Sequence, residues 1–207
     1  MVKLKTIVGW MSVLMLLTSC SKNSDSPEPN YSPTTAGSSW TYTTGSNLFT
    51  ITATNRDTVA GGKTYRILAN NNGPNNYVAK DSGDYYRYGA IAAIGANGIE
   101  ELYLKDNLDV NGTWSSSQAV NVPGYPPLTA KLTYTIKAKG TTRVVSGKTY
   151  NNVIQVRLDI SISGISLGGG DFYYADGIGL IENNVAIAVP GQPNISQVQL
   201  LTAYEIK

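Results

Sequence analysis

The feature that most constrains the fold is a ten-residue alternation. From Ile154 to Ser163, the apolar residues Ile154, Val156, Leu158, Ile160 and Ile162 take every second place. Gln155, Arg157, Asp159, Ser161 and Ser163 fill the places between them. A period of two sends one set to each side of an extended chain, so this segment reads as a strand with one dry face and one wet face. The pattern recurs. Leu132, Tyr134, Ile136 and Ala138 alternate with Thr133, Thr135, Lys137 and Lys139, and Phe49, Ile51 and Ala53 alternate with Thr50, Thr52 and Thr54. Turn signals separate such runs at Ala60-Gly61-Gly62, Asn71–Pro74, Asn111-Gly112, Gly124–Pro127, Ser146-Gly147 and Gly168-Gly169-Gly170. The one helical candidate, Ala90 to Leu104, carries Gly95 and Gly98, which argue against a helix interior. The expected fold is all-β: antiparallel strands arranged as a sandwich or as an open, half-barrel-like sheet.

An internal repeat divides these strands into two related units. Phe49 to Tyr65 aligns without gaps on Tyr134 to Tyr150, with eight of seventeen positions identical, including a complete Gly-Lys-Thr-Tyr at 62–65 and 147–150. A fainter echo relates Ser82–Tyr86 to Gly169–Tyr173, and each half opens near a tryptophan, Trp40 or Trp114. The repeat predicts that each Gly-Lys-Thr-Tyr closes a hairpin, with Gly62 and Gly147 at positive φ and Tyr65 and Tyr150 starting the return strands. The echo further predicts that the tyrosine clusters at 85–88 and 172–174 occupy equivalent places.

The N-terminus carries an address. Lys3 and Lys5 precede an apolar stretch from Ile7 to Leu17, and Leu17-Thr18-Ser19-Cys20 follows. A charged start, a short apolar core and small residues before a cleavage point mark an export signal over residues 1–19. The apolar stretch is too short for a membrane span. The Leu-Thr-Ser-Cys ending resembles the lipobox of bacterial lipoproteins, which implies acylation of Cys20, the only cysteine in the chain. Residues 20–36 are polar and rich in Ser and Pro and read as a lipidated, flexible tether. Residues 37–207 form one domain, with repeat units at about 37–110 and 111–207. The expected location is the cell envelope, at the outer membrane, with the lipid as the membrane contact.

Composition excludes several chemistries. The chain has no histidine, so Ser-His-Asp and Cys-His catalysis in their usual forms are ruled out, as are ordinary His/Cys zinc sites. Without Lys3 and Lys5, 14 basic residues face 14 acidic ones, and a general nucleic-acid binder would need a basic face. A single cysteine forbids an internal disulfide. No cofactor or metal is indicated.

Ordered motifs add a resemblance. Gly37-Ser38-Ser39-Trp40, then Asn111-Gly112-Thr113-Trp114, then Val145 to Val153, then Tyr173-Tyr174-Ala175-Asp176-Gly177-Ile178-Gly179-Leu180-Ile181 occur in that order. The chain resembles a group of uncharacterised secreted lipoproteins common in Bacteroidetes, which share a Gly-x-x-Trp start and a Tyr-Tyr-Ala-x-Gly-Val-Gly-Leu segment. Those motifs are structural, and the resemblance implies no activity.

Gly164-Ile165-Ser166-Leu167-Gly168 matches the nucleophile elbow in letters, but a strand precedes it and no histidine serves it, so it reads as a glycine-rich hairpin. Asn107 to Gly112 imitates a calcium loop, yet position twelve is Gln118, so it reads as a polar turn. The Gly-Lys-Thr triplets lack the first glycine of a phosphate loop. Asp84, Glu100, Glu101, Asp171 and Asp176 could supply the carboxylate pair of a glycan hydrolase, but spacing selects no pair. Asp57-Thr58-Val59 resembles an O-glycosylation acceptor of exported Bacteroidetes proteins, which makes Thr58 a modification candidate. Tyr85, Tyr86, Tyr88, Tyr173 and Tyr174 are the candidate ligand-binding residues, because strand neighbours face opposite ways and some of these rings must reach a surface. The leading reading is a non-enzymatic envelope module that binds a glycan, another ligand or a protein partner. A carboxylate hydrolase and a purely structural envelope component are the alternatives.

Overall fold

A computed structural model describes residues 28–91, 96–120, 128–189 and 193–207. Cys20, the export signal and the first part of the expected tether lie outside the described residues. The domain is all-β, with no helix among the described residues. Its strands are β1 (Ser39–Thr44), β2 (Asn47–Ala60), β3 (Lys63–Asn70), β4 (Asn76–Asp81), β5 (Asp84–Ile91), β6 (Ala96–Lys105), β7 (Thr113–Val120), β8 (Leu128–Val145), β9 (Lys148–Ile162), β10 (Ile165–Ala175), β11 (Gly179–Ile187) and β12 (Ile195–Glu205). They form one antiparallel sheet in the order β6-β5-β4-β3-β2-β1-β12-β11-β10-β9-β8-β7. Every neighbour but one pair is consecutive in sequence. The exception, β1 on β12, joins the ends of two six-stranded meanders, so the sheet curls into a nearly closed barrel with one open seam between β6 and β7.

Side chains bridge that seam where the ladder does not. Trp114 on β7 donates its indole N–H to the Leu102 carbonyl on β6 at 2.8 Å and stacks flat on Tyr134, with ring centroids 5.2 Å apart. Trp40 does the reciprocal thing from the first meander, donating at 2.6 Å to the Ile178 carbonyl in the β10–β11 turn. Each half therefore opens on a tryptophan that clasps the other half.

The main repeat is real and has a structural purpose. Both Gly-Lys-Thr-Tyr segments leave a two-residue turn, Gly61-Gly62 or Ser146-Gly147, with all four residues at positive φ. Ala60 pairs with Lys63, and Val145 pairs with Lys148, closing hairpins of the same register. Irregular register upstream, between Ala53 and Asp57 and between Ile136 and Arg143, bends each hairpin tip over the outer face of its own meander. Lys63 then caps the Tyr86 ring of β5, and Tyr65 is fully buried against Tyr88. Lys148 sits over Tyr204 of β12, and Tyr150 is buried beside the same ring.

The weaker echo is not a structural equivalence. Sheet order matches β2 and β3 to β8 and β9, so β4 corresponds to β10 and β5 to β11. The cluster at 85–88 lies on β5, whereas 172–174 lies on β10. One inserted strand separates β5 from its hairpin, and none separates β10 from its own, so the two tyrosine clusters are not related by the repeat. The expected turn at Gly168–Gly170 is also corrected: these glycines lie inside β10. A Cβ at Gly169 would collide with the Leu158 carbonyl, so glycine here permits close approach of the β9 backbone.

The interior is packed unevenly. Ile154, Val156, Leu158 and Ile160 of β9 meet Leu132, Tyr134 and Ile136 of β8 and Phe172 of β10 in a dense core. This half of the barrel is built from the residues whose alternation is cleanest in the sequence. The other half, enclosed by β1–β6 with β11 and β12, is lined by larger and more polar side chains and is not filled. One end of the barrel is plugged by residues 28–33. Tyr31 and Pro33 are buried, the Asn30 amide donates to Asp176 Oδ1 at 2.8 Å, and Lys80 Nζ donates to the Pro29 carbonyl at 2.7 Å. This part of the expected tether belongs to the folded domain.

Candidate functional site

The unfilled half of the barrel holds a cavity of about 520 Å³. That lies within the ~300–1,000 Å³ typical of small-molecule sites. It runs from the plug to the rim formed by the ends of β1, β3 and β5. The floor is Tyr31, Pro33, Ile178 and Gly179, and the walls include Trp40, Tyr42, Phe49, Ile51, Leu68, Val78 and Tyr174. The rim carries amides from Asn70, Asn75 and Asn76, and a second amide pair, Asn183 and Gln199, lies on β11 and β12. Asn183 Nδ2 donates to Gln199 Oε1 at 3.2 Å, which fixes both side chains. Several wall groups have spent their polar atoms already: Tyr42 donates to the Leu180 carbonyl at 2.9 Å, and Trp40 to that of Ile178.

Among the described residues, only two charged ones border the cavity, Arg87 of β5 and Glu101 of β6. They are cross-strand partners, so their side chains share the inner face. Arg87 donates through Nε to Glu101 Oε2 at 2.6 Å and through Nη2 to Oε1 at 2.9 Å. Tyr134 reaches across from β8 and donates to the same Oε1 at 2.6 Å. Glu101 is thereby saturated and only 2 % exposed, while Arg87 leaves 44 % of its side chain facing open space. Arg87 lines the cavity, and the exposed part of its side chain borders that space. The accessible edge of the pair is the guanidinium end bearing Nη1, for which no protein acceptor occurs among the described residues.

Electrostatics follow from this geometry. Burial alone pulls the Arg87 pKa down, but Glu101 beside it more than offsets that and holds it above the ordinary value. Burial and the Glu101 carboxylate push the Tyr134 phenol well up, and burial pushes Tyr103 up to about 12. At neutral pH the cavity therefore presents a neutralised ion pair, neutral phenols and amides.

The residues expected to bind ligand divide three ways. Tyr174 lies on the cavity wall. Tyr85 is fully buried under the plug, donating to Asp106 Oδ2 at 2.6 Å and accepting from the Tyr31 amide at 3.3 Å, so it is a core residue and not a surface one. Tyr86, Tyr88 and Tyr173 are half-buried on the outer face. Tyr88 borders the cavity, but its ring rests on Tyr65, and Tyr173 lies under the Arg143 guanidinium, which Glu182 holds in a two-pronged ion pair. Thr58 is half-buried in β2 opposite Tyr65.

The carboxylates named as hydrolase candidates are dispersed. Asp84 is held by Lys105, Glu100 by Lys63 and Tyr65, Asp171 by Arg157 and Gln155, and Asp176 by the Asn30 amide. Of the five, only Glu101 borders the cavity. Ser166 lies on β10 just after the Ser163-Gly164 turn, both at positive φ, in a hairpin and not at a strand-to-helix elbow.

Sequence reasoning missed Arg87 as a site residue. The available signal was its place two residues after Tyr85, on the same strand face, in a run of aromatics. No protein family, curated protein or solved structure matches this chain.

Proposed function

We propose that this protein is an envelope lipoprotein that binds a small ligand inside its barrel without chemically transforming it. The observation that carries this reading is the 520 Å³ cavity, walled by aromatic and aliphatic side chains and presenting one accessible guanidinium edge. Apolar walls with a few fixed polar groups are the usual makeup of a ligand site. A hydrolase acting through two carboxylates would need a second acid beside Glu101, and no other borders the cavity among the described residues.

A lipid on Cys20 would orient such a barrel. Cys20 is eight residues from Glu28, and an extended chain spans at most ~3.6 Å per residue, so the plugged end stays within about 29 Å of the lipid. The rim, at the opposite end of the strands, then faces away from the anchoring membrane. Cys20→Ala releases the protein from the membrane fraction on this reading, and retention of the variant through a high-salt wash contradicts the anchor.

Ligand binding is tested on protein isolated from its native membrane by non-denaturing mass spectrometry. A non-covalent small-molecule adduct is expected, and it is expected to vanish in Leu68→Trp, which fills the cavity from its wall. Wild-type protein that carries no adduct and takes up no member of a panel of amphiphiles contradicts the proposal.

A further inference from the structure

The geometry points to an uncharged amphiphile as the ligand class: an apolar body with a carbonyl or hydroxyl oxygen that accepts from the free end of Arg87. This inference rests on the reading of the cavity as a ligand site and adds what the site selects. The charge of the lining decides the class. A lone buried arginine would be a receptor for an anion, because a desolvated cation needs a counter-charge. Here the counter-charge is built in. Glu101 takes two hydrogen bonds from Arg87 and a third from Tyr134, and it is sealed from the cavity at 2 % exposure.

What remains for a ligand is hydrogen-bond donation without net charge. Arg87 Nη1 points its hydrogens at space that no acceptor among the described residues fills. A carboxylate placed there would gain that donor but would stand beside Glu101 as a second negative charge, with no second cation on the lining among the described residues to offset it. A cationic head would meet the guanidinium itself. A neutral carbonyl or hydroxyl avoids both costs and gives the free end of Arg87 an acceptor. The rim and wall amides, which donate and accept alike, suit the same class.

Size follows from volume. At the ~30 Å³ that a water-sized group occupies in a liquid, the cavity takes about 17 non-hydrogen atoms. The walls of Trp40, Tyr42, Phe49, Leu68 and Val78 call for most of these to be apolar.

The test compares three ligands with one chain and three heads: decanamide, decanoate and decylammonium, titrated calorimetrically against the whole protein at neutral pH. The expected order is decanamide at least about ten-fold tighter than either ion. Glu101→Gln keeps the shape of the pair and removes its negative charge, so the order is expected to invert, with decanoate binding tightest. The wild-type comparison stands by itself should that variant fail to fold. Decanoate binding as tightly as decanamide to the wild type would overturn the neutral class while leaving the cavity as a ligand site. Equal order in wild type and Glu101→Gln would show that Arg87 does not read the head group. Failure of all three to bind would remove the ligand site and this inference together.

Discussion

At Arg87 and Glu101 the energetics depend on each residue having the other. Removing one partner strands a charge inside the barrel, and a stranded buried charge costs about 3–5 kcal/mol, whereas replacing both with apolar groups of similar size is often neutral. Arg87→Leu is therefore expected to lower stability by about 3–5 kcal/mol, and Arg87→Leu combined with Glu101→Leu to recover most of it, as read by denaturant unfolding. Equal losses in the single and double variants would contradict the pairing. The buried tyrosines make a separate statement about pH. Burial raises the Tyr31 and Tyr103 phenols to about 12, against an ordinary value near 10. The folded state thus favours the neutral phenol. Its contribution is complete below pH 10, where the unfolded chain also keeps its phenols protonated, and is lost as pH rises from 10 through 12. With no histidine in the chain, stability is expected to be nearly flat from pH 6 to 9 and to fall steeply above 10. Phenolate absorbance followed together with circular dichroism checks this. Ionisation of all tyrosines near pH 10 without unfolding would contradict it.

The hairpin tips are the elements that give the repeat its meaning. Gly-Lys-Thr-Tyr is the unit that folds each tip back over its meander, with a glycine at positive φ for the turn, a lysine over an aromatic ring and a tyrosine under the fold. The two copies differ in one atom's fate. The Tyr65 hydroxyl donates to Glu100, while the Tyr150 hydroxyl is buried with no partner among the described residues. Tyr65→Phe is expected to cost about 1 kcal/mol, and Tyr150→Phe to be neutral or mildly stabilising. Melting temperatures of the two variants decide the point, and a larger loss for Tyr150→Phe would show that its hydroxyl has an unrecognised role. The strands themselves were legible. Alternation at 154–163 and 132–139 gave β9 and β8, and the glycines at 61–62 and 147 gave the two hairpin tips, because a period of two and a positive φ are local properties, whereas Gly168–Gly170 lie inside β10 and the turn expected at 124–127 lies outside the described residues. The order of strands was not legible beyond the hairpins. The resemblance of 82–86 to 169–173 points to an equivalence that the sheet does not have, since a short match of Gly, Asp and Tyr reflects similar turn-to-strand chemistry on β5 and β10. The fold-back of the tips was also hidden, because it arises from irregular register after Ala53 and Ile136 and from contacts across distant strands.

On the scale of the molecule, the asymmetry between the two halves defines the candidate site. The half around β8, β9 and β10 is filled by Ile, Leu and Val that close-pack, while the half around β1–β6, β11 and β12 is walled by tyrosine, tryptophan and amide side chains that do not meet in the middle. Sequence alone gave the aromatic residues but not which faced inward. Tyr174 lies on the cavity and Tyr85 in the core, whereas Arg87, the only accessible charge on the lining among the described residues, lies in a run of tyrosines. A barrel with one packed half and one open half has room for a ligand, and the direct test is whether one enters that space. Trp40 reports on it directly, because its ring borders the cavity. The chain has three tryptophans, so in a Trp10→Phe, Trp114→Phe background Trp40 is the only one left, and excitation beyond the tyrosine absorption band reports on it alone. Titration of decanamide into that variant is expected to change Trp40 emission saturably, with one ligand per chain and the same affinity measured by calorimetry. Calorimetric binding with no change at Trp40, or no binding at any concentration below the ligand's solubility, would contradict the account.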